Sequence, residues 1–291
     1  MQGMTDDAPT GLAIALEPLV TRVLAGNPSP FTNTGTQTYL VGTSDLAVID
    51  PGPDDAEHLA ALLAAIDGRP VRAILCTHTH RDHSPAAPAL KAATGAPIIG
   101  CAPLVLDDAG PRADAAFDTG YAPDAVLADG AQIAGQGWTL TAVATPGHTS
   151  NHLCFALEES GALFTGDHVM GWSTTVVAPP DGNMAAYMAS LETLMQRPQD
   201  RIYYPAHGDP IGTPHRFVRG LAGHRKQREG QILRLLEQDV ATIPDMVERM
   251  YAGLDPRLHG AAGRSVLAHL LDLEARGRVA PAGEGWQRLP A

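Results

Sequence analysis

The sequence predicts an α/β protein followed by a helical module near its C-terminus. Three observations carry that expectation. Short apolar runs alternate with segments of helical spacing as far as about Pro214. Several of those runs end in a His or an Asp with a Gly close by. Beyond Pro214 the texture changes to long helical stretches rich in Arg.

The elements follow in order. Val48-Ile49 leads into the turn Asp50-Pro51-Gly52, and Ala56 to Ile66 reads as the next helix. Val71 to Cys76 is an apolar run that reads as a buried strand. It opens into Thr77-His78-Thr79-His80-Arg81-Asp82-His83-Ser84. Ser84-Pro85 and the Ala-rich run to Ala93 read as a helix with Pro in its first turn. Cys101 to Pro123, rich in Asp, Ala, Gly and Pro, reads as a loop or short helix near the mouth of a site. Leu140 to Ala144, Ala162 to Phe164 and Ile202 to Tyr204 read as strands that end at His148, Asp167 and His207. Met184, Tyr187, Met188, Leu191 and Leu194 recur at helical spacing and read as core.

The C-terminal part predicts three helices: His215 to Gln238, one capped at Thr242-Ile243-Pro244-Asp245, and Ala261 to Ala275 stopping at Gly277. The expected domains are 1–214 and 215–291. The first ten residues or so are expected to be disordered.

Composition sets limits. At 291 residues the chain is long enough for one large domain or two. Its 44% hydrophobic and 18% charged content is ordinary for a soluble globular protein. Aromatics make up only 5%, which argues against a stacking platform for single strands. Residues 1–214 hold 8 basic and 23 acidic side chains, and residues 215–291 hold 12 and 9. The acidic whole argues against strong non-specific nucleic-acid binding, so DNA binding is not expected. Cys76, Cys101 and Cys154 lie in apolar contexts and read as buried free thiols. No signal-peptide pattern and no membrane-length apolar run is found, so a cytoplasmic location is expected.

The chemistry concentrates in H-x-H-x-D-H from His78 to His83. Neutral imidazoles and a carboxylate form a ligand set that suits zinc. One tetrahedral ion does not easily accept all four from so short a loop. Two ions could, if His148, Asp167 and His207 add their side chains. Repeated placement at strand ends gathers distant residues on one edge of a sheet.

These motifs, in the order Asp50, His78-x-His80-x-Asp82-His83, His148, Asp167, His207, resemble the metallo-β-lactamase superfamily. The resemblance implies a four-layer αββα sandwich. It also implies one zinc on His78, His80 and His148, a second on Asp82, His83 and His207, and Asp167 bridging both. Asp82 and Asp167 are then the catalytic carboxylates. Asp50, His152 and His168 are expected behind the ligands, orienting them. Other divalent transition metals are admitted by the same donors. Asn27-Pro28-Ser29-Pro30-Phe31-Thr32, Gly35 to Gly42 and the stretch from His224 to Val279 further resemble the lactamase-β-like protein 2 family. That resemblance implies a C-terminal winged helix.

The implied activity is hydrolysis by a hydroxide shared between two zinc ions. Single-stranded RNA, cut by an endoribonuclease of this family type, is one expected substrate. The alternative is a thioester of an acyl carrier, acyl-CoA or hydroxyacylglutathione. A lactonase and a non-catalytic winged-helix DNA reader are further alternatives. His58, His215, His224, His259 and His269 lie outside any ligand motif and read as surface or packing residues.

Overall fold

The computed structural model of the chain describes residues 9–105 and 117–290. The N-terminal segment expected to be disordered falls largely outside the described residues, as does the middle of the segment from Cys101 to Pro123. The described residues form two compact units. The first draws on the described residues up to Thr145, on Asn151–Ser173 and on Pro198–Pro214; the second draws on Pro146–Ser150, Thr174–Arg197 and the described residues from His215 onward.

The first unit contains two sheets. One has seven strands in spatial order: β1 (Ala13–Glu17), β2 (Val20–Leu24), β3 (Gln37–Val41), β4 (Leu46–Ile49), β5 (Val71–Cys76), β6 (Ile98–Gly100) and β7 (Ala125–Val126). Pairing is antiparallel from β1 to β4 and parallel from β4 to β7. The parallel pairs require crossovers, and helices α1 (Ala56–Ile66) and α2 (Ala87–Thr94) supply two of them. β3 and β4 are buried along their whole length, as expected for strands covered on both faces. The second sheet has β8 (Gln132–Gly135), β9 (Trp138–Ala144), β10 (Leu153–Leu157), β11 (Ala162–Gly166) and β12 (Ile202–Pro205), in the order β12-β11-β10-β9-β8. Only β11 and β12 run parallel in it.

The two sheets share one core. The Tyr39 ring lies 5.1 Å from Phe164 and 5.7 Å from Tyr204, and its hydroxyl donates to the Pro205 carbonyl at 2.6 Å. Trp138 is fully buried and its indole N–H donates to the Asp45 carboxylate at 3.0 Å. Leu62 and Ile66 of α1 and Leu90 of α2 join the same cluster. Each such side chain contributes roughly 1.5–3 kcal/mol when fully buried.

Helix α1 has the bounds its sequence predicts, because Asp55 caps it through Glu57 N at 2.8 Å and Asp67 closes it at φ 49°. Helix α2 starts later than predicted. Ser84 is not its cap; the Ser84 hydroxyl donates to Asp118 Oδ2 at 2.7 Å, and the helix opens at Ala87 with no side-chain cap.

The second unit holds α3 (Met184–Met195), α4 (Pro214–Leu236), α5 (Ile243–Met250), a short 3-10 turn (Pro256–Leu258), α6 (His259–Ala275), β13 (Val279–Ala282) and β14 (Gly285–Arg288). Asn183 caps α3 and Thr242 caps α5. Met184, Tyr187, Leu191 and Leu194 are buried, so the stripe on α3 packs as core. Ile232, Met246, Val247, Val266, Leu270, Leu273 and Val279 form a separate core of helices and hairpin. His224 and His269 are held within this unit, His269 being fully buried. Among the described residues, no helix is long and apolar enough to cross a membrane.

Candidate metal centre

Strand β4 ends at Asp50, whose φ of 49° is uncommon for a residue with a side chain. The turn aims its carboxylate at the end of neighbouring β5. Asp50 Oδ1 accepts the Thr77 N–H at 2.8 Å, and Oδ2 accepts the Thr77 hydroxyl at 2.8 Å. Oδ2 also faces His83 Nδ1 at 2.9 Å. A carboxylate only accepts, so His83 donates from Nδ1 and its Nε2 carries the lone pair. The Thr77 hydroxyl, already donating to Asp50, accepts from His78 Nδ1 at 3.0 Å. His78 therefore also presents a lone pair on Nε2.

His207, just past β12, donates from Nδ1 to the Gly35 carbonyl at 3.1 Å, so its Nε2 is again the acceptor nitrogen. That Nε2 stands 3.1 Å from Asp82 Oδ2 and 3.2 Å from Asp167 Oδ1. His83 Nε2 stands 3.3 Å from Asp82 Oδ2 and 3.5 Å from Asp167 Oδ1. The ligand atoms of Asp82, His83 and His207 all lie within 4.8 Å of one another, as do those of His78, His80 and Asp167. His78 Nε2 and His80 Nδ1 are 2.8 Å apart.

The fit to cations follows from the donor set. Buried imidazole lone pairs and carboxylate oxygens repel each other unless positive charge sits among them. His83 Nε2 is buried with no hydrogen-bond partner among the described residues, despite its polar neighbours. Burial alone lowers the pKa of a histidine; here the Asp167 and Asp82 carboxylates overcome it and push His207 up to about 10. His83 is raised for the same reason, chiefly by Asp82 and Asp167 acting against its burial. Burial raises Asp82 and Asp167, yet the facing His83 and His207 bring both carboxyls well below the usual range. The pocket thus favours charged carboxylates and positive charge between them, held either as protons on Nε2 of His83 and His207 or as divalent ions that displace those protons and take up the lone pairs.

Surrounding residues fix these groups. Thr36 donates to Asp82 Oδ2 at 3.2 Å, and Asn27 holds Thr36 twice, at 2.9 Å to its hydroxyl and 2.8 Å from its N–H. His152 is buried; its Nε2 accepts the Asp167 N–H at 3.2 Å and its Nδ1 faces the Thr145 hydroxyl at 2.8 Å. His168 is fully buried, with its ring 5.9 Å from that of His152. His148 stands on Pro146–Ser150 of the second unit and donates from Nδ1 to the Val176 carbonyl at 2.6 Å. Gly166 holds φ 49°, and a Cβ there would meet His152 Nε2 and the Thr77 hydroxyl at 2.7 Å. The sequence assigns no site role to Thr77, Thr36 or Asn27, although Thr77 opens the histidine motif and Asn27 and Thr36 lie in stretches that carry the family resemblance.

The model of the metallo-beta-lactamase superfamily matches residues 32–207, the stretch that carries nearly all these groups. The chain belongs to the metallo-beta-lactamase superfamily. The model of the beta-lactamase associated winged helix domain matches residues 242–286, which cover α5, α6 and most of the β13–β14 hairpin. The superfamily fold of sheets flanked by helices, with this helical module after it, is the α/β class the sequence predicts.

Among relatives, the beta-lactamase-like protein 2 homolog of Drosophila melanogaster is 32% identical, over 89% of this chain and 89% of its own. An atrochrysone carboxyl ACP thioesterase of Aspergillus terreus is 33% identical, over 85% of this chain and 76% of its own. A metallo-beta-lactamase family protein from Thermus thermophilus superposes with a TM-score of 0.77 at 23% identity, covering 94% of this chain and 100% of its own. Hydrolases of this superfamily, thioesterases included, are thus the chain's relatives, and it is a metal-dependent hydrolase by family.

Proposed function

We propose that the chain is a dizinc hydrolase acting on a thioester of an acyl carrier, coenzyme A or glutathione. The observation that carries this reading is the convergence of His83 Nε2 and His207 Nε2 on the carboxylates of Asp82 and Asp167. In the proposal His78, His80 and His148 would hold one ion and Asp82, His83 and His207 the other, with Asp167 available to them. Such ions supply Lewis acidity and make water nucleophilic at neutral pH.

The chain's own residues do the positioning. Asp50 and Thr77 hold His78 and His83 in the tautomer that ligates. Gly35 does so for His207, and the Val176 carbonyl for His148. Asn27 and Thr36 orient Asp82, and His152 anchors the backbone of Asp167. Water adds to the thioester carbonyl carbon, the C–S bond breaks, and the products are a carboxylic acid and a thiol.

Two further observations support the thioester. The relatives include an acyl-carrier thioesterase. Residues 1–214 carry 23 acidic against 8 basic side chains, which disfavours the long phosphate backbone of RNA more than the few phosphates of coenzyme A. The RNA reading rests on residues 215–291, where basic side chains outnumber acidic ones by 12 to 9. A cytoplasmic setting belongs to the proposal and is supported by three buried free thiols.

The test is to load the purified chain with zinc and offer acyl-CoA, acylglutathione, a lactone and short RNA side by side. Thioester turnover well above the rest is expected. RNA cleavage with no thioester turnover overturns the substrate assignment, and full activity in Asp167→Ala overturns the metal centre.

A further inference from the structure

Aromatic side chains are scarce in this chain, and most are buried. Among the described residues, the exposed Phe and Trp side chains are Phe31 and Trp172, at 51% and 40% exposure. Single exposed apolar residues are ordinary. These two, however, are tied through short stretches of backbone to the same histidine.

Trp172 follows Gly171, whose N–H donates to the His207 carbonyl at 2.9 Å. The two segments meet so closely that a Cβ on Gly208 would lie 2.7 Å from Trp172 N, and one on Gly171 would lie 2.1 Å from the Asp209 carbonyl oxygen. Trp172 is therefore mounted on rigid backbone one residue from a segment that carries a candidate ligand. Phe31 is mounted in a comparable way. Ser29 Oγ accepts the N–H groups of Phe31 and Thr32, each at 3.1 Å, and Thr32 Oγ1 donates to the Asn27 carbonyl at 2.6 Å. That loop continues directly to Gly35, which holds His207, and to Thr36, which holds Asp82. A third ring, Phe117, stands 4.6 Å from His80 and is partly exposed.

We propose that Phe31, Trp172 and Phe117 form an apolar rim that binds the acyl group of the substrate and selects long or aromatic acyl chains over acetyl. Rigid loops that hold aromatic rings in solvent beside a charged centre leave apolar surface that a ligand can bury. A polar or short acyl group would gain nothing from it. The inference rests on the thioester reading and specifies its substrate class.

The test uses the zinc-loaded full-length protein with acetyl-, octanoyl- and dodecanoyl-CoA. Each methylene buried on the rim should raise kcat/KM by about fourfold. Phe31→Ala and Trp172→Ala should flatten that dependence, raising KM for dodecanoyl-CoA about tenfold or more, with zinc per chain equal to wild type. Leu63→Ala, exposed on α1, should keep the wild-type profile. An unchanged chain-length dependence in both rim variants overturns the inference while leaving the thioester reading standing. Failure of the wild type to hydrolyse any thioester, with RNA or lactone cleaved instead, overturns the thioester reading and the rim assignment with it.

Discussion

Asp50 Oδ2 and His83 Nδ1 face each other across 2.9 Å, and the same oxygen takes the hydroxyl proton of Thr77. One carboxylate oxygen, presented from a left-handed turn, thereby fixes the acceptor nitrogen of His83 directly and that of His78 through Thr77.

Asp50→Ala should therefore weaken metal binding without removing any ligand. Outer partners of metal-bound histidines typically contribute about 10–100-fold in affinity. Competition titration against a chromogenic zinc chelator measures it, and wild-type affinity in the variant would contradict the assigned role.

Thr36→Val removes the donor to Asp82 Oδ2 while keeping the shape of the side chain. A hydrogen bond to a charged group contributes about 1.5–3 kcal/mol. Retained zinc should fall below that of Thr36→Ser when both proteins are dialysed against the same chelator and analysed by atomic emission. Equal zinc in the two variants argues that Asp82 is oriented by something else.

Gly166→Ala places a methyl group 2.7 Å from both His152 Nε2 and the Thr77 hydroxyl, at a φ of 49°. Overpacking and left-handed strain together should cost about 2–4 kcal/mol. Urea unfolding of the metal-free protein reads the loss apart from any effect on metal binding. A midpoint equal to wild type would show that the strand end can shift.

His269 lies at 2% exposure in the second unit, and neither ring nitrogen has a hydrogen-bond partner among the described residues. Burial, and then the positive charges of Arg225, of His224 once protonated, and of Arg276 and Arg228, depress its pKa to about 3. Its unfolded pKa is about 6.5, so between about pH 3 and 6.5 the unfolded chain binds the proton that the folded one refuses. The neutral ring's contribution is complete above about pH 6.5 and is lost as pH falls toward about 3. Stability should fall with acidification by up to about 1.4 kcal/mol per pH unit from this group alone. Denaturant midpoints from about pH 4 to about pH 7 should be less steep in His269→Gln than in wild type; parallel curves would remove His269 as the cause.

The lines of the site were legible because ligand-type residues follow apolar runs. Val71–Cys76 is a strand buried from Ala73 onward, and His78 to His83 lie just past its end; Asp167 and His207 stand in the same relation to β11 and β12. The helices with capping residues, α1 and α5, were legible to within a residue or two for the same local reason. The long helices α4 and α6 were legible to within two residues without such caps, whereas some shorter elements were not. β10, buried throughout, carries no alternation that tells a strand from a buried helical stretch. The start of α2 was misplaced because Ser84 spends its hydroxyl on Asp118, 34 residues away, an arrangement no window around Ser84 contains. The Asn27–Thr36–Asp82 relay was hidden likewise, since it joins residues through a fold and not through a period. Gly166 showed itself as a glycine, but the crowding that demands it exists only once β5 and β11 converge.

The Thr77 hydroxyl and the Asp50 carboxylate connect a histidine of each ligand cluster, His78 on one side and His83 on the other. Capture of an ion by either cluster would stiffen the shared tether and so ready its twin. Filling should be cooperative: at half the zinc needed for saturation, a population would sort into empty and fully charged molecules, with singly charged ones rare.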